Sequence, residues 1–402
     1  MSTSRIARAV AVIRNAWLVA GITLLFFVLI EIASAIVLHI HGVVFRDTRV
    51  YAEAYGSAPW VRDYYREFDE SFQSRWEPYT YWRRRPFQGR YINVGTDGNR
   101  VTPQPAGQVS GVRPPINVFL FGGSALWGTG ARDEFTIPAI LGNVLRERGI
   151  ANRVVNFAES GYVSSQEVIA CLLELRRGNV PDIVIFYDGV NDSFSAYQQG
   201  VAGRPQSEAN REREFDLTSD RHTKDLANAF LRYGSSNLAT VRLLRAVLER
   251  IGLKRPAWNP PSITTPSQLA ALARDASAIY WGNMKVVAAL GKQYGFHSFF
   301  YWQPTTFEKK RLTALEAVDR DKWQEFGRLL LQVSEAVRRQ PGAMEGATFR
   351  DLSGIFADVP EPIYIDFVHT SEQGNDRIAH QIAADVLAAI GSGCAQPPCV
   401  IR

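Results

Sequence analysis

Residues 116–130 read INVFLFGGSALWGTG, an apolar run that stops at two glycines and a serine. The first six residues are apolar except for Asn117, and such a run is typical of a strand buried on both faces of a sheet. Gly122 and Gly123 allow the backbone to bend tightly before a helix begins. This stretch therefore predicts a buried strand that turns directly into a helix.

The same alternation of short apolar runs and longer amphipathic stretches continues toward the C-terminus. Further strands are predicted at 154–157, 182–187, 297–302 and 347–352. Helical stretches lie near 136–148, 165–177, 266–294, 321–339 and 372–390. Alternating strands and helices indicate a parallel sheet covered on both faces. We therefore expect an α/β fold, a three-layer α/β/α sandwich with a five-stranded parallel sheet.

Small polar clusters stand where the first three predicted strands end. Ser124 follows the first strand, Gly161 the second and Asn191 the third, while Asp366 and His369 directly precede the last helix. In open parallel sheets, function gathers at the carboxyl ends of the strands. We therefore expect these five residues to meet at one edge of the sheet.

The order of these clusters resembles that of the SGNH hydrolases, also known as GDSL-like esterases and lipases, over about residues 116–390. The matching blocks are Gly122-Gly123-Ser124, Ser160-Gly161, Gly189-Val190-Asn191-Asp192 and Asp366-Phe367-Val368-His369. The resemblance implies the family's flavodoxin-like fold and its hydrolysis of esters. Two features depart from the family pattern: Gly123 stands where the namesake motif has aspartate, and no clear further block follows the third strand.

The residues themselves suggest a nucleophile and a base. A serine hydroxyl needs a base near neutral pH, and the pKa of histidine suits that task. Ser124, on a turn between glycines, is the candidate nucleophile, although an isolated serine there would more often cap a helix. His369 is the candidate base, because it alone among six histidines has an acid three positions before it in a loop-to-helix context. Asp366 would hold the imidazole in the productive tautomer.

The resemblance also implies an oxyanion hole made by the backbone N–H groups of Ser124 and Gly161 and the side-chain amide of Asn191. A glycine suits this role, since its backbone can approach a substrate closely. We expect Asp188 and Asp192 to be strand-end and capping carboxylates. The remaining histidines are expected to be surface or structural residues: His39, His41, His222, His297 and His380.

Residues 16–40 form a long, mostly apolar stretch that carries no acidic, lysine or arginine side chain except Glu31. It is long enough to cross a hydrocarbon layer of ~30 Å as one helix. The preceding residues, 1–15, contain three arginines and no acid, and such a bias places them in the cytoplasm. The sequence thus predicts a single-pass signal anchor and a periplasmic or extracellular catalytic domain.

A cleavable signal peptide is the competing interpretation of the same stretch. Ala33-Ser34-Ala35 has the small-x-small form that signal peptidase accepts, so cleavage would follow Ala35. Either interpretation sends the rest of the chain out of the cytoplasm. Glu31 is expected to be a solvated carboxylate near the outer interface.

Residues 43–112 form a membrane-proximal segment rich in aromatic residues. Rings recur every four residues along part of it, at Trp60, Tyr64, Phe68, Phe72 and Trp76. This spacing is close to the helical repeat and predicts one face that packs against the main domain. A platform for stacking sugars is the alternative, because more rings follow at Tyr79, Tyr81, Trp82, Phe87 and Tyr91.

The main domain is expected over residues 113–392, with an insertion at 193–267 after the third strand. The insertion is interpreted either as a lid or groove wall above the sheet edge, or as a solvent-exposed loop with one helix that packs against the domain. Residues 393–402 form a Pro-containing tail in which Cys394 and Cys399 could pair in an oxidising compartment.

Composition excludes several classes of protein. The 402 residues are 46% hydrophobic and 21% charged, as in a folded chain rather than a disordered one. A net charge of +5 without a dense basic block argues against nucleic acid as a partner. Three cysteines without metal-ligand spacing argue against a disulfide framework and a zinc site, and Cys171 is expected to be a buried small hydrophobe. We expect no metal and no cofactor.

The sequence therefore predicts an extracytoplasmic serine esterase that removes small acyl groups, preferably acetyl. Its substrate would be an acylated glycan or a small ester. An O-acyltransferase that moves acetyl groups onto an exopolysaccharide is the close alternative, because the same triad can pass an acyl group to a sugar hydroxyl. A glycan-binding scaffold that kept the fold and lost catalysis is the alternative from a different class. The sequence leaves the oligomeric state open.

Overall fold

The computed structural model describes residues 3–44, 48–103, 114–219, 238–250, 265–339 and 346–393. The chain divides into two compact units. One consists of Met1–Arg46 and Ala209–Asn259, and the other of Asp47–Glu208 and Pro260–Arg402. The candidate catalytic residues all belong to the second unit.

The described residues form nine strands and twelve α-helices. The strands are β1 Ser74–Glu77, β2 Tyr81–Arg84, β3 Phe87–Gln88, β4 Asn93–Val94, β5 Ile116–Gly122, β6 Asn152–Asn156, β7 Ile183–Asp188, β8 His297–Trp302 and β9 Ala347–Asp351. The helices are α1 Thr3–Val44, α2 Val61–Ser71, α3 Ser124–Trp127, α4 Ile137–Glu147, α5 Ser164–Arg176, α6 Val190–Gln199, α7 Glu208–Ser219, α8 Ala239–Arg250, α9 Pro266–Tyr294, α10 Ala314–Lys322, α11 Gln324–Arg339 and α12 Glu372–Gly393. Short 3₁₀ helices lie at Thr48–Tyr51, Glu53–Tyr55 and Asp133–Phe135.

The second unit is built on a five-stranded sheet with the order β6-β5-β7-β8-β9. All of its neighbouring strands are parallel. The first strand of this sheet along the chain, β5, has β6 on one side and β7 on the other, which is the flavodoxin-like order and creates a switch point there. The predicted α/β/α sandwich with five parallel strands is confirmed.

Side chains along each strand point alternately to the two faces of the sheet, and both faces are buried. Val118 and Leu120 of β5 belong to one hydrophobic cluster, whereas Phe119 and Phe121 belong to the other. Helices α4 and α12 contact each other on the first side, and α9 contacts α11 on the second. The continuous apolar run quoted first is thus explained by burial on both faces.

Local sequence signals set the ends of several helices. Thr265 accepts a hydrogen bond from the backbone of Gln268 and precedes Pro266, so α9 begins with a capping box and a proline in its first turn. The same helix ends at Gly295, whose φ of 84° lies in the left-handed region that glycine adopts without strain. These signals explain why this long helix matches its predicted range.

The aromatic stripe of the membrane-proximal segment divides into a buried part and an exposed part. Tyr64 and Phe68 of α2 are buried in the core of the second unit, and the ring of Phe68 packs edge-on against Trp127. Phe72 and Trp76, further along the stripe, are exposed. The prediction of packing against the main domain therefore holds for the helix and not for the strand that follows it.

The first unit contains α1 and α8, which contact each other. Residues Ala11–Ile40 of α1 are long and apolar enough to cross a membrane, a property also shared by N-terminal signal sequences. Glu31 is not the solvated carboxylate that we expect from the sequence. Its carboxylate accepts hydrogen bonds from the backbone N–H groups of Ala239 and Thr240 and from the Thr240 hydroxyl. Glu31 therefore caps the N-terminus of α8, where the unpaired N–H groups of a helix favour an anion.

The division into units falls inside the predicted insertion. Residues 193–208 stay with the sheet, whereas 209–259 group with the apolar N-terminal helix. Cys171 is buried and free, as expected. Cys394 and Cys399 lie outside the described residues, and so does His222.

Candidate active site

The five residues singled out in the sequence meet at the carboxyl end of the sheet. Ser124 is the first residue of α3, directly after β5. Gly161 lies in the loop after β6, and Asn191 lies in the first turn of α6 after β7. Asp366 and His369 lie in the loop before α12. The crossovers of the parallel sheet bring these separate loops to the switch point beside β5.

Ser124, His369 and Asp366 form a continuous chain of hydrogen-bonding groups. The Nε2 atom of His369 lies 2.7 Å from Oγ of Ser124. Its Nδ1 atom lies 2.6 Å from Oδ2 of Asp366. Both distances are within the range for a proton shared between the two groups.

Asp366 is fixed by its own loop. Its Oδ1 atom accepts hydrogen bonds from the backbone N–H groups of Val368 and His369, at 2.9 and 2.8 Å. Burial raises the pKa of Asp366, but the His369 ring and these hydrogen bonds outweigh it and hold the pKa below its usual value. The carboxylate therefore stays ionised beside the imidazole.

Ser124 is not a helix cap. The N-cap of α3 is Gly123, whose backbone is extended, and no side chain caps this helix. The alternative interpretation of Ser124 as a capping serine is therefore wrong. Its hydroxyl points instead to the His369 ring.

The three expected oxyanion donors belong to residues that line one cavity. In the described part of the chain, the backbone N–H groups of Ser124 and Gly161 donate no hydrogen bond within the protein. Asn191 donates one amide hydrogen from Nδ2 to the carbonyl of Tyr162 at 2.7 Å, which leaves its second amide hydrogen available. The backbone of Gly161 has a φ of 80°, which glycine adopts without strain.

Gly123, which departs from the motif noted in the sequence, lies directly beside the Asn191 side chain. A Cβ atom on Gly123 would lie 2.1 Å from Nδ2 of Asn191. A larger residue at position 123 would therefore require the Asn191 amide to move.

These groups line one cavity of about 210 Å³. Ser124, Gly161, Asn191 and His369 form its reactive side. Its other walls are apolar or carry neutral amides: Ala125, Val190, Phe194, Trp323, Phe367, Val368, Gln206 and Gln303. The cavity thus offers a neutral, largely apolar space next to a hydroxyl and an imidazole.

A buried pair of arginines supports the turn that carries Ser124, and the sequence did not indicate it. The ring of Trp127, the last residue of α3, has Arg84 at 3.8 Å and Arg100 at 4.4 Å from ring centroid to guanidinium carbon. Arg100 also donates to the carbonyls of Gly128 and Ala131, both at 2.6 Å. The membrane-proximal segment therefore holds the loop after the candidate nucleophile.

A tyrosine from α2 completes this support. The hydroxyl of Tyr64 accepts from the backbone N–H of Gly130 at 2.8 Å and donates to the carbonyl of Gly128 at 3.2 Å. The only sequence signal for these contacts is the density of rings and arginines in residues 47–103, which does not specify a partner.

Three buried carboxyl groups lie behind the candidate site. Asp192 accepts hydrogen bonds from the backbone N–H and the hydroxyl of Ser164 at the start of α5, which confirms its capping role. Burial raises the pKa of Asp192 to about 6 and that of Asp188 to about 8. Burial and the neighbouring Asp188 raise the pKa of Glu167 well above its usual value. With their pKa values raised, Glu167 and Asp188 bind protons more readily than ordinary carboxyl groups, and protonation lessens the repulsion between them.

Two other described histidines of the second unit, His297 and His380, are not among the residues that line the cavity. His297 begins β8, and its Nε2 atom lies 3.1 Å from the hydroxyl of Thr348. Burial lowers the pKa of His297. His380 is exposed on α12, where it contacts Asp376. Across the described ranges, no group of three or more histidine, cysteine or acidic residues is arranged to hold a metal ion.

A parallel sheet with a serine, a histidine and an aspartate at its switch point defines the class of α/β serine hydrolases. The sequence profile of the GDSL-like lipase and acylhydrolase family matches residues 118–382. The chain belongs to this family, and it is a hydrolase that acts on ester bonds. The resemblance noted from the sequence is thereby confirmed. No curated protein matches the chain.

Solved structures of several esterases are similar to this chain. An acetyl xylan esterase named AlAXEase is 12% identical with a TM-score of 0.34, over 67% of this chain and 100% of that one. The acetylxylan esterase Axe2 from Geobacillus stearothermophilus is 14% identical with a TM-score of 0.34, over 67% and 94%. A GDSL-like lipase from Bacteroides thetaiotaomicron is 12% identical with a TM-score of 0.32, over 68% and 88%.

Proposed function

We propose that the protein removes small acyl groups, with acetyl preferred, from a glycan outside the cytoplasm, through an acyl-enzyme on Ser124. The observation that carries the proposal is the continuous contact from the Ser124 hydroxyl through His369 to Asp366. A hydroxyl in this contact loses its proton to the imidazole as it attacks a carbonyl carbon.

The first half of the reaction forms the acyl-enzyme. Oγ of Ser124 bonds to the carbonyl carbon of the ester while its proton moves to Nε2 of His369. Asp366 stabilises the imidazolium that results, because its lowered pKa keeps it anionic. The tetrahedral intermediate then collapses, and the departing alcohol oxygen takes the proton from His369.

The negative charge of the tetrahedral intermediate needs donors that are already in place. The backbone N–H groups of Ser124 and Gly161 and the second amide hydrogen of Asn191 are assigned this role. One such donor is worth ~3 kcal/mol in a hydrolase. The unpaired N–H groups at the start of α3 favour the same charge.

The second half returns the serine. A water molecule gives a proton to His369 and attacks the acyl carbon, and the acid leaves as Ser124 regains its hydrogen. If a sugar hydroxyl takes the place of that water, the same groups perform O-acyl transfer. The two outcomes differ only in the acceptor of the acyl group.

The size of the cavity supports the proposal that the acyl group is small. Its volume of about 210 Å³ is below the roughly 300–1,000 Å³ of pockets that enclose drug-sized ligands. A short acyl group fits beside its apolar walls. Among the described residues that line the cavity there is no lysine, arginine, aspartate or glutamate to bind an ionised acyl chain. The alcohol part of the ester then lies outside the cavity.

The apolar helix α1 supports a location at the membrane. Three arginines lie before or at the start of its apolar stretch, Arg5, Arg8 and Arg14, and no acidic residue lies there. The bias of basic residues toward the cytoplasm assigns the N-terminus to that side and the sheet-containing unit to the outside. Acylated polysaccharides of the cell surface are ester substrates available there.

The test uses the full chain in detergent with a chromogenic acetyl ester, with and without an oligosaccharide acceptor. We expect release of acetate and labelling of Ser124 by a fluorophosphonate probe. Acetate that appears on the oligosaccharide instead of in solution would identify an acyltransferase. A protein that neither turns over the ester nor reacts with the probe would be a binding scaffold, and the proposal would be wrong.

A further inference from the structure

The hairpin formed by β1 and β2 carries large aromatic side chains that the core does not bury. Trp76 is 66% exposed and Tyr79 is 64% exposed. Tyr81 and Trp82 on β2 are half-buried. Exposed rings that cluster in this way mark binding surfaces. We call these four residues the hairpin aromatic face: Trp76, Tyr79, Tyr81 and Trp82.

The strand register pairs two of these residues, and a ring contact connects a third to them. Trp76 and Trp82 are directly opposite each other across the antiparallel pair, so their side chains share one face. The ring of Tyr81 lies 5.5 Å from that of Trp76. Arg75 and Arg83, the next pair along the register, have the opposite orientation.

The backbone of the turn is held in an unusual conformation. Tyr79 has a φ of 69° and Tyr81 a φ of 77°. Bulky residues rarely adopt this left-handed region, because the Cβ atom crowds the backbone. Strain of this kind persists where the surrounding structure maintains it, often at binding sites. At Tyr81 it also breaks the usual alternation of side chains along β2.

The hairpin aromatic face is continuous with the candidate oxyanion hole. Nε1 of Trp82 donates to the carbonyl of Ser160 at 2.9 Å. The Cζ2 atom of Trp82 lies 3.5 Å from the position that a Cβ on Gly161 would occupy. Gly161 lines the cavity that contains Ser124. The rings therefore begin at the edge of the reactive cavity and lead away from it.

We propose that the hairpin aromatic face binds the sugar chain whose acyl group enters the cavity. This inference rests on the proposed ester hydrolysis and names the site for the alcohol part of the substrate. The cavity holds only a small group, so the rest of a polymeric ester must lie outside it, beside Gly161. Tryptophan and tyrosine rings suit pyranose rings, since each has an apolar surface to stack on C–H groups and a polar atom to meet hydroxyls. The hairpin precedes residues 118–382, so it is an addition to the family domain.

The test compares substrates that differ only in the alcohol part, with the full chain in detergent. Trp76→Ala and Tyr79→Ala are assayed on p-nitrophenyl acetate, on an O-acetylated methyl xyloside and on an O-acetylated xylohexaose. We expect kcat/KM for the hexasaccharide to fall roughly fivefold to tenfold for each variant, mainly through KM. The rates with p-nitrophenyl acetate should not change. Tyr294→Ala, which removes an exposed ring at the end of α9, is the matched control and should leave all three unchanged.

Binding is measured separately in the Ser124→Ala background by titration calorimetry with xylohexaose. Loss of binding on removal of Trp76 supports the inference even if no ester is cleaved. A failure of the sugar-binding inference can therefore be distinguished from a failure of the proposed function. Variants that bind and cleave the hexasaccharide as the parent protein does would overturn it. Equal losses on p-nitrophenyl acetate and on the hexasaccharide would also overturn it, because the hairpin would then act on the cavity and not on the sugar.

Discussion

The Nε2 atom of His369 lies 2.7 Å from Oγ of Ser124, although 245 positions separate these residues in the chain. The contact is possible because Ser124 follows strand β5 and the loop of His369 reaches the same edge of the sheet. The hydroxyl, the imidazole and the carboxylate of Asp366 therefore act as one unit, and their removal should have linked consequences.

Ser124→Ala should abolish ester hydrolysis, with a loss of roughly 10⁴-fold or more, and should leave the fold unchanged. The hydroxyl makes no capping contact, so its removal costs little stability. Turnover of p-nitrophenyl acetate and far-ultraviolet circular dichroism measure the two effects. His369→Ala should act nearly as strongly, and the double variant should be no slower than either single one. Independent, additive losses would show that the two residues do not work together.

Asn191→Ala should lower kcat roughly 10²-fold or more with little change in KM, because a transition-state donor is lost. Gly123→Ala should have a similar effect by a different route. Its Cβ would lie 2.1 Å from Nδ2 of Asn191 and would displace the amide. Steady-state kinetics of both variants on p-nitrophenyl acetate provide the comparison.

The double variant Gly123→Ala/Asn191→Ala separates displacement of the amide from damage to the turn. If Gly123 matters through Asn191, the double variant should match Asn191→Ala alone. A further tenfold loss in the double variant would show that the methyl group disturbs Ser124 itself.

Much of the fold and the site is predictable from local patterns. The strand runs, the glycines at their ends and the Asp366-to-His369 spacing are short-range features, and the parallel sheet then determines where they meet. Contacts between distant polar residues are not predictable in this way. Glu31 caps a helix 208 positions away at Ala239, and no periodicity connects the two. For the same reason, no sequence pattern connects Arg84 and Arg100 with Trp127, against which the structure places both guanidinium groups.

Arg100→Met should destabilise the protein by about 3–5 kcal/mol, because it leaves a buried carboxylate without its partner. Nε of Arg100 lies 2.8 Å from Oδ1 of Asp133, and both side chains are almost fully buried. Burial raises the pKa of Asp133 and Arg100 opposes that rise, so the carboxyl should protonate more easily in the variant. Denaturant unfolding followed by tryptophan fluorescence measures the change.

Asp133→Asn added to Arg100→Met should recover part of the lost stability, since the unpaired charge is then absent. The exposed pair of Lys310 and Asp358 provides the control: Lys310→Met should cost at most about 1 kcal/mol. Equal losses at the two sites would contradict a special role for the buried arginine.

The buried carboxyl groups behind the site should make stability depend on pH in an unusual direction. Burial raises the pKa of Asp188 to about 8, above its unfolded value of about 3.9, so the native state binds more protons than the unfolded state between these limits. The stabilisation is complete below about pH 4 and is lost as the pH rises toward about 8. The free energy of unfolding should fall by up to about 1.4 kcal/mol per pH unit for each such proton.

Asp188→Asn should flatten this decline, because an amide has no proton to lose. Unfolding by denaturant at several values between pH 5 and about 8.5 gives the slope for each protein. Asp192 titrates in both proteins, so its contribution cancels in the comparison with the parent protein. The pKa of Glu167 should be raised less in the variant, because part of its rise comes from Asp188. Asp321→Asn, at an exposed position, should leave the slope unchanged. A slope that is the same with and without Asp188 would mean that this carboxyl is already ionised in the folded protein at neutral pH.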